Sequence, residues 1–265
     1  MLIAFVGKGG VGKTTVSSAF ALQLSKKGKT AIVSSDFMSS LRYVFPSDPT
    51  GLKVMEMKEN EVSAAWKERY GNEVTTVLKQ FFDVEPWIVD HIADSPGVAE
   101  EFMISNIVDL DNSGEYDYVV WDTAASSATM HPLMLEKEFY EHLDRDVKIL
   151  LRLRDRFHTD KVMELIEQWK NLAKGVWKKL EETSFYLVTT GDELSLLQAS
   201  EIDHDFRRMG LRIHDRICNR CKAETENSYA LRIPEFSGTA RQIVEMISSG
   251  HELKLPIISG KRNQP

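Results

Sequence analysis

Two patterns of apolar positions alternate along the chain. Short, continuous apolar runs rich in β-branched residues fall at 2–6, 30–35, 53–57, 117–121, 147–153, 185–190, 211–218 and 231–233. Continuous runs suit strands buried on both faces, whereas a half-solvated strand would alternate. Between them lie stretches of helical period. Residues 14–27 read as a helix ending at Gly28, a residue type suited to a C-terminal cap. Residues 61–82, 97–109 and 159–182 read as further helices. In the last of these, Val162, Leu165, Ile166, Trp169, Leu172, Ala173, Val176, Trp177 and Leu180 make one apolar face. Packing against the sheet is its expected use, and a groove for a partner is the sharper alternative. Strands separated by helices predict an α/β fold with a mostly parallel central sheet and helices on both faces. A helical insertion region is expected at about 59–112 and 157–183. With no internal repeat or linker, 1–259 reads as one domain, followed by a polar tail, 260–265, expected to fray.

Composition narrows the class. The 265 residues carry 33 Lys and Arg against 40 Asp and Glu, a formal net charge of -7. A nucleic-acid binder needs a dominant basic footprint to displace phosphate counterions, so nucleic acid is not an expected partner. Hydrophobic residues make up 42% and charged residues 28%, the balance of a packed globular chain rather than a disordered one. No apolar run approaches the ~18 residues that span a bilayer, so no integral membrane segment is expected. Two cysteines cannot build a disulfide framework, and a reducing, cytoplasmic location is the expectation.

The first strand runs straight into Gly7-Lys8-Gly9-Gly10-Val11-Gly12-Lys13-Thr14, which satisfies G-x-x-x-x-G-K-[ST]. The glycines let the backbone turn tightly and aim N–H groups at phosphate oxygens, and the following helix adds its positive end. Lys13 would reach the β- and γ-phosphates of ATP. The Thr14 hydroxyl would ligate Mg²⁺, and Thr15 would reach the α-phosphate. The expected architecture is therefore a P-loop domain.

Asp36 and Asp122 each follow an apolar strand. In an open parallel sheet, ligands sit beyond the carboxyl ends of the strands, so both carboxylates can face the nucleotide. One should serve the Mg²⁺ shell, through water, and the other should orient the attacking water. Asp122 is assigned to the metal and Asp36 to the water. An Asp after a single strand is more often a cap or turn residue, but two of them beside a phosphate loop reverse that expectation.

Lys8 makes the loop more specific. G-K-G-G-V-G-K-T-T resembles the deviant Walker A loop of a branch that includes the arsenite-pump, tail-anchored-protein-targeting, septum-positioning, nitrogenase-iron-protein and nickel-insertion ATPases. The segments Leu52-Lys-Val-Met-Glu-Met, Ser95-Pro-Gly-Val-Ala-Glu-Glu-Phe and Tyr116-Asp-Tyr-Val-Val-Trp-Asp-Thr-Ala narrow this to the arsenite-pump and tail-anchor-targeting family. The resemblance covers residues 1 to about 256. It implies a nucleotide-bridged homodimer in which Lys8 reaches the partner subunit's nucleotide and hydrolysis drives a protein or membrane-protein partner. Arg216-Ile217-Cys218-Asn219-Arg220 resembles the family's adenine-contacting element, with Asn219 on the base edge, and Pro234 would pack on the base plane. The two switches depart from the family pattern. The first reads Asp36-Phe37-Met38-Ser39-Ser40 in place of D-P-A-H-N. The second reads Asp122-Thr123-Ala124-Ala125-Ser126-Ser127-Ala128-Thr129 in place of D-T-A-P-T-G-H-T. Those loops sense the γ-phosphate, so the departures bear on hydrolysis and dimer coupling rather than on binding.

Cys218 and Cys221 form C-x-x-C, which supplies two of the four ligands of a structural zinc site. Two subunits could complete it, but Asn219 falls inside the pair, so no metal ligand is assigned there. Arsenite is soft and thiophilic, and no other thiol is available to cluster around it. The ten methionines are scattered, which weakens a methionine-rich client groove, although the Trp169, Val176 and Trp177 face could serve instead. The end of the chain, 251–265, lacks the amphipathic helix that a membrane-positioning relative would need. Metallocentre maturation and a nucleotide-binding scaffold with little turnover stand as alternatives. A basic cluster, Arg145, Lys148, Arg152, Arg154 and Arg156, reads as a solvated rim.

Overall fold

The computed structural model describes residues 1–38, 40–79, 83–95, 97–124, 160–221, 229–253 and 255. The expected strand at 147–153, the basic cluster, the second switch beyond Ala124 and the tail at 260–265 lie outside the described residues. β1 (Leu2–Val6) and α1 (Lys13–Leu24) flank the glycine loop. β2 (Thr30–Ser34), α2 (Leu41–Val44) and β3 (Leu52–Glu56) follow. Three helices come next, α3 (Glu59–Leu78), α4 (Pro86–Ala93) and α5 (Val98–Asn112), and then β4 (Tyr118–Asp122). Beyond residue 159 lie α6 (Asp160–Glu182), β5 (Ser184–Thr189), α7 (Glu193–Met209), β6 (Ile213–Asn219), β7 (Leu231–Ile233) and α8 (Ala240–Gly250).

The seven described strands make one parallel sheet in the order β3-β2-β4-β1-β5-β6-β7. The continuous apolar runs are explained by burial on both faces. In β1, Leu2, Ala4 and Val6 join one core while Ile3 and Phe5 join the other. In β4, Val119 and Trp121 face the first core and Val120 the second. The first core is closed by residues of α5, α6 and α7, among them Met103, Leu180 and Phe206. The second is closed by α1, α2 and α8, through residues such as Phe20, Leu41 and Val244. Phe5 stacks on Phe20 at 5.8 Å, and Phe185 meets Phe206 edge-on at 4.9 Å. Each such pair adds roughly 0.5–1.5 kcal/mol beyond its area burial.

Several expected bounds move. The first helix ends at Leu24 rather than running to Gly28. Lys26 N and Lys27 N donate to carbonyls three residues back, tightening the end into a turn that Gly28 N closes on Leu24 O. Gly28 is needed for a different reason: a Cβ there would lie 2.7 Å from Asp117 Oδ2, which accepts a bond from Lys29 N. Strands three and four are displaced by one residue from expectation, to Leu52–Glu56 and Tyr118–Asp122. The helix at 97–109 extends to Asn112, and α4, α7 and α8 lie outside the helices expected from the sequence. The long helix α6 packs chiefly against α5 and α3. Val176 is buried and Trp177 packs on the first core, so most of the proposed client face is already covered.

Candidate functional site

β1 lies between β4 and β5, so the loop at 7–14 emerges at the carboxyl edge where the chain's path across the sheet reverses. The two glycines at its ends are required by geometry. A Cβ on Gly7 would meet Val188 O at 2.3 Å. Gly12 has φ 89°, and a Cβ there would lie 2.3 Å from Asn219 Nδ2. α1 starts at Lys13, directly after this left-handed turn. Its first-turn N–H groups lack intrahelical acceptors and point back toward the loop.

The loop is braced from the end of β6. Asn219 Nδ2 donates to Val11 O at 2.8 Å, and Arg220 Nη2 donates to Gly10 O at 2.6 Å. Arg220 itself sits at φ 53°, unusual for a residue with a Cβ. Lys13 is buried, and its Nζ donates to Lys8 O at 3.2 Å across the loop. Burial lowers its proton affinity, while the Asp122 and Asp36 carboxylates oppose that shift. Both carboxylates therefore act electrostatically on the loop lysine.

Asp122 closes β4 and is fully buried, in register with Phe5 of β1 and Ser34 of β2. Burial raises its carboxyl to about 6, against bonds from the Thr14 and Ser17 side chains and the charge of Lys13. Ser17 Oγ donates to Asp122 Oδ1 at 3.0 Å. Ser17 is the residue that sequence reasoning missed. The available signal was its place on α1, one turn beyond Lys13, as a polar residue on an otherwise buried helix. Asp36 follows β2 by two residues and is half-buried, and its Oδ1 accepts from Met38 N at 2.9 Å. The start of the second switch is also tied down. Thr123 Oγ1 donates to Phe5 O at 2.7 Å, and Ser35 Oγ accepts from Trp121 Nε1 at 2.8 Å.

The remaining expected residues spread around this centre. Gly9 and Gly10 are exposed, Val11 is buried, and Thr14 and Thr15 are half-buried on the first turn of α1. Lys8 is half-buried. The Asp192 carboxyl is held below its usual range by the Thr190 hydroxyl and Ser195 N–H, with a smaller contribution from the Lys8 charge. Asn219 pairs in register with Ile233, which places exposed Pro234 beyond the neighbouring strand end. Asn219 is thus both a brace for the loop and a neighbour of Pro234. Burial and a bond with Cys221 push the Cys218 thiol up to about 12, away from the thiolate that a metal or an electrophile needs.

The model of the anion-transporting ATPase family matches residues 1–258. The chain belongs to that family. Within it, the chain is 28% identical over 248 residues to a protein named arsenical pump-driving ATPase 2 from Aquifex aeolicus, covering 86% of this chain and 82% of the relative. It is 24% identical over 236 residues to the ATPase GET3 of Malassezia globosa, covering 81% of this chain and 70% of the relative. A protein named arsenical pump-driving ATPase from Prosthecochloris vibrioformis is 32% identical over 149 residues, and the match spans only 35% of its length. Family membership identifies this chain as an ATPase, in agreement with the phosphate loop at 7–14. Among the described residues no helix is long and apolar enough to cross a membrane.

Proposed function

We propose that this chain hydrolyses ATP with Mg²⁺ as a nucleotide-bridged homodimer and couples turnover to a protein or membrane-protein partner. The observation that carries the reading is the braced loop with a buried cation at its foot: Lys13 faces Asp122 and Asp36, and Asn219 and Arg220 hold Val11 and Gly10. In this reading the loop N–H groups at 9–14 and Lys13 hold the β- and γ-phosphates, and Thr15 the α-phosphate. Lys8 extends to the nucleotide of the partner subunit. Asn219 and Pro234 take the adenine.

The donor set suits a small hard cation. Thr14 and Asp122 offer oxygens, and Asp122 is a fully buried carboxylate at the foot of the loop, hydrogen-bonded by Ser17. No group of three or more His, Cys, Asp or Glu side chains that could hold a metal occurs among the described residues. Mg²⁺ commonly takes one or two protein oxygens with water and phosphate completing its shell, so the set fits. When bound there, Mg²⁺ would supply neutralisation of phosphate charge.

The chain's own groups then do the rest. Asp36 orients a water in line with the γ-phosphorus. A bond forms from that water oxygen to phosphorus and the bond to the β,γ-bridging oxygen breaks, releasing ADP and inorganic phosphate. Lys13, and Lys8 from the partner subunit, balance charge on the phosphoryl oxygens as the bridge breaks.

Two substitutions test this. Lys13→Ala is expected to weaken ATP binding strongly and remove turnover. Asp36→Asn is expected to keep ATP binding and lose turnover by ~100-fold or more, the scale of a lost water-positioning group. Retained turnover in Asp36→Asn would remove Asp36 from that role. A scaffold reading draws on the altered switches: Met38, where the family pattern has Ala, is 90% exposed, and its N–H occupies one Asp36 oxygen. Single-turnover phosphate release decides between the two. Release above the buffer rate excludes the scaffold, and tight ATP binding without release excludes hydrolysis.

A further inference from the structure

A cavity of about 290 Å³ opens among α3, α5 and α6, on the opposite face of the sheet from α1. Four aromatic rings line its wall beside aliphatic side chains: Trp66 and Tyr70 from α3, Phe102 from α5 and Trp169 from α6. The rings are fixed by one another and by Glu73. Tyr70 meets Phe102 edge-on at 5.8 Å, Trp66 leans on Tyr70 at 6.1 Å, and Trp169 Nε1 donates to Glu73 Oε2 at 2.6 Å.

Two polar side chains interrupt this apolar wall, Glu101 and Ser105, one turn apart on α5. Ser105 is only 9% exposed, and its Oγ is buried with no hydrogen-bond partner among the described residues. That is costly unless something supplies the bond. The cavity wall contains no Lys, Arg or His among the described residues. Among the described residues the carboxylate therefore has no counter-charge in the cavity, and the neighbouring charge that raises its proton affinity is the like charge of Glu100. Among the described residues the wall thus offers aromatic rings, one acid and one open hydroxyl. It suits an apolar body for the rings and a single positive donor for the acid and hydroxyl.

We propose that this cavity binds a small organic ammonium ion, of about the size of phenethylammonium, with its charged nitrogen at Glu101 and Ser105. The volume is at the low end of ligand pockets, which favours a metabolite of roughly ten heavy atoms over a polypeptide segment. An ammonium donor would satisfy the Ser105 oxygen and neutralise Glu101 at once. A neutral ligand of the same shape could do only the first. Burial, with the like charge of Glu100, holds the Glu101 carboxyl near 7, above its ordinary value of 4.5, and a cation bound there would favour its charged form.

The test titrates the full chain with phenethylammonium and, separately, with its neutral isostere 2-phenylethanol, by calorimetry and by ¹H–¹⁵N spectra of the tryptophan indoles. The cation is expected to saturate the protein and to bind at least about tenfold tighter than the alcohol, as a charge-assisted bond should. The indole signals of Trp66 and Trp169 should shift together. Glu101→Gln should abolish the preference while leaving alcohol binding in place. Equal affinities, tighter alcohol binding, or shifts confined to other tryptophans would each overturn the proposal. Undiminished cation binding in a folded Glu101→Gln chain would do the same. Should Glu101→Gln fail to fold, the wild-type preference and the indole shifts decide the matter, with Ser105→Ala expected to weaken the cation by a few-fold.

Discussion

Gly12 and Asn219 touch across 207 positions of sequence, and the phosphate loop depends on the contact. Gly12→Ala would place a methyl group 2.3 Å from the Asn219 amide and force a left-handed backbone on a residue with a Cβ. The backbone penalty alone is about 1–2 kcal/mol. We expect loss of ATP binding by the loop, read by nucleotide titration, together with a lower melting temperature. Unchanged ATP affinity would show that the loop tolerates this displacement. Glu101 offers a test of a different kind. Its carboxyl titrates near 7 when folded and at 4.5 ordinarily, so the folded state holds the proton more tightly. Its contribution to stability is therefore fully present below 4.5 and is lost as pH rises through about 7. Glu101→Gln lacks this loss. The variant should melt above the wild type at pH values beyond 7, and the gap should close toward pH 4.5, in paired melts. A gap that stays constant over that range would contradict the burial of the carboxylate. At this scale the loop's place between a strand and a helix was legible from Gly7, Gly12, Lys13 and Thr14, because a phosphate loop is a local motif. The sequence did not disclose that Ser17 bonds Asp122 or that Asn219 and Arg220 hold the loop. Those contacts join distant segments, and only the fold brings them together.

Elements were easiest to read where burial is complete. β1, β2 and β7 lie where the apolar runs end against glycine, lysine or proline, which mark their limits sharply. β3 and β4 slipped by one residue because strands buried on both faces carry no alternation to fix the register. α7 and α8 carry apolar residues at helical spacing, Ala199, Ile202, Phe206 and Met209 in one and Ile243, Val244 and Ile247 in the other, and each also opens on a cap. Asp192 accepts from Ser195 N at 3.0 Å, and Thr239 and Gln242 form a reciprocal capping box on α8. The sequence T-A-R-Q at 239–242 contains that box. Thr239→Ala should cost about 1 kcal/mol in urea unfolding, the usual worth of such a cap. A cost near zero would mean that packing of Val244 and Ile247 into the second core holds α8 without it. The same packing logic recasts α6. Its apolar stripe, the alternative client groove, is mostly spent on α3, α5 and the first core, leaving the aromatic cavity rather than an open furrow.

The whole molecule joins one phosphate loop to a parallel sheet whose carboxyl edge gathers Lys8, Lys13, Asp36, Asp122 and Asn219 from four separate strand ends. An acidic chain thereby meets a polyanion with local positive charge alone. Lys8 is the residue that distinguishes a dimer from a monomer in this reading, since it is the half-buried loop residue assigned to the other subunit's phosphates. The sequence anticipated the architecture because strand runs and a local motif suffice for it, whereas assembly depends on surfaces that no pattern of apolar residues marks. The most direct measurement is the molar mass of the Asp36→Asn chain by light scattering with ATP and Mg²⁺, against Asp36→Asn combined with Lys8→Ala. A nucleotide-bridged dimer predicts twice the 30.2 kDa chain mass with ATP and a return to 30.2 kDa in the combined variant. A mass of 30.2 kDa at saturating ATP in both chains would contradict it.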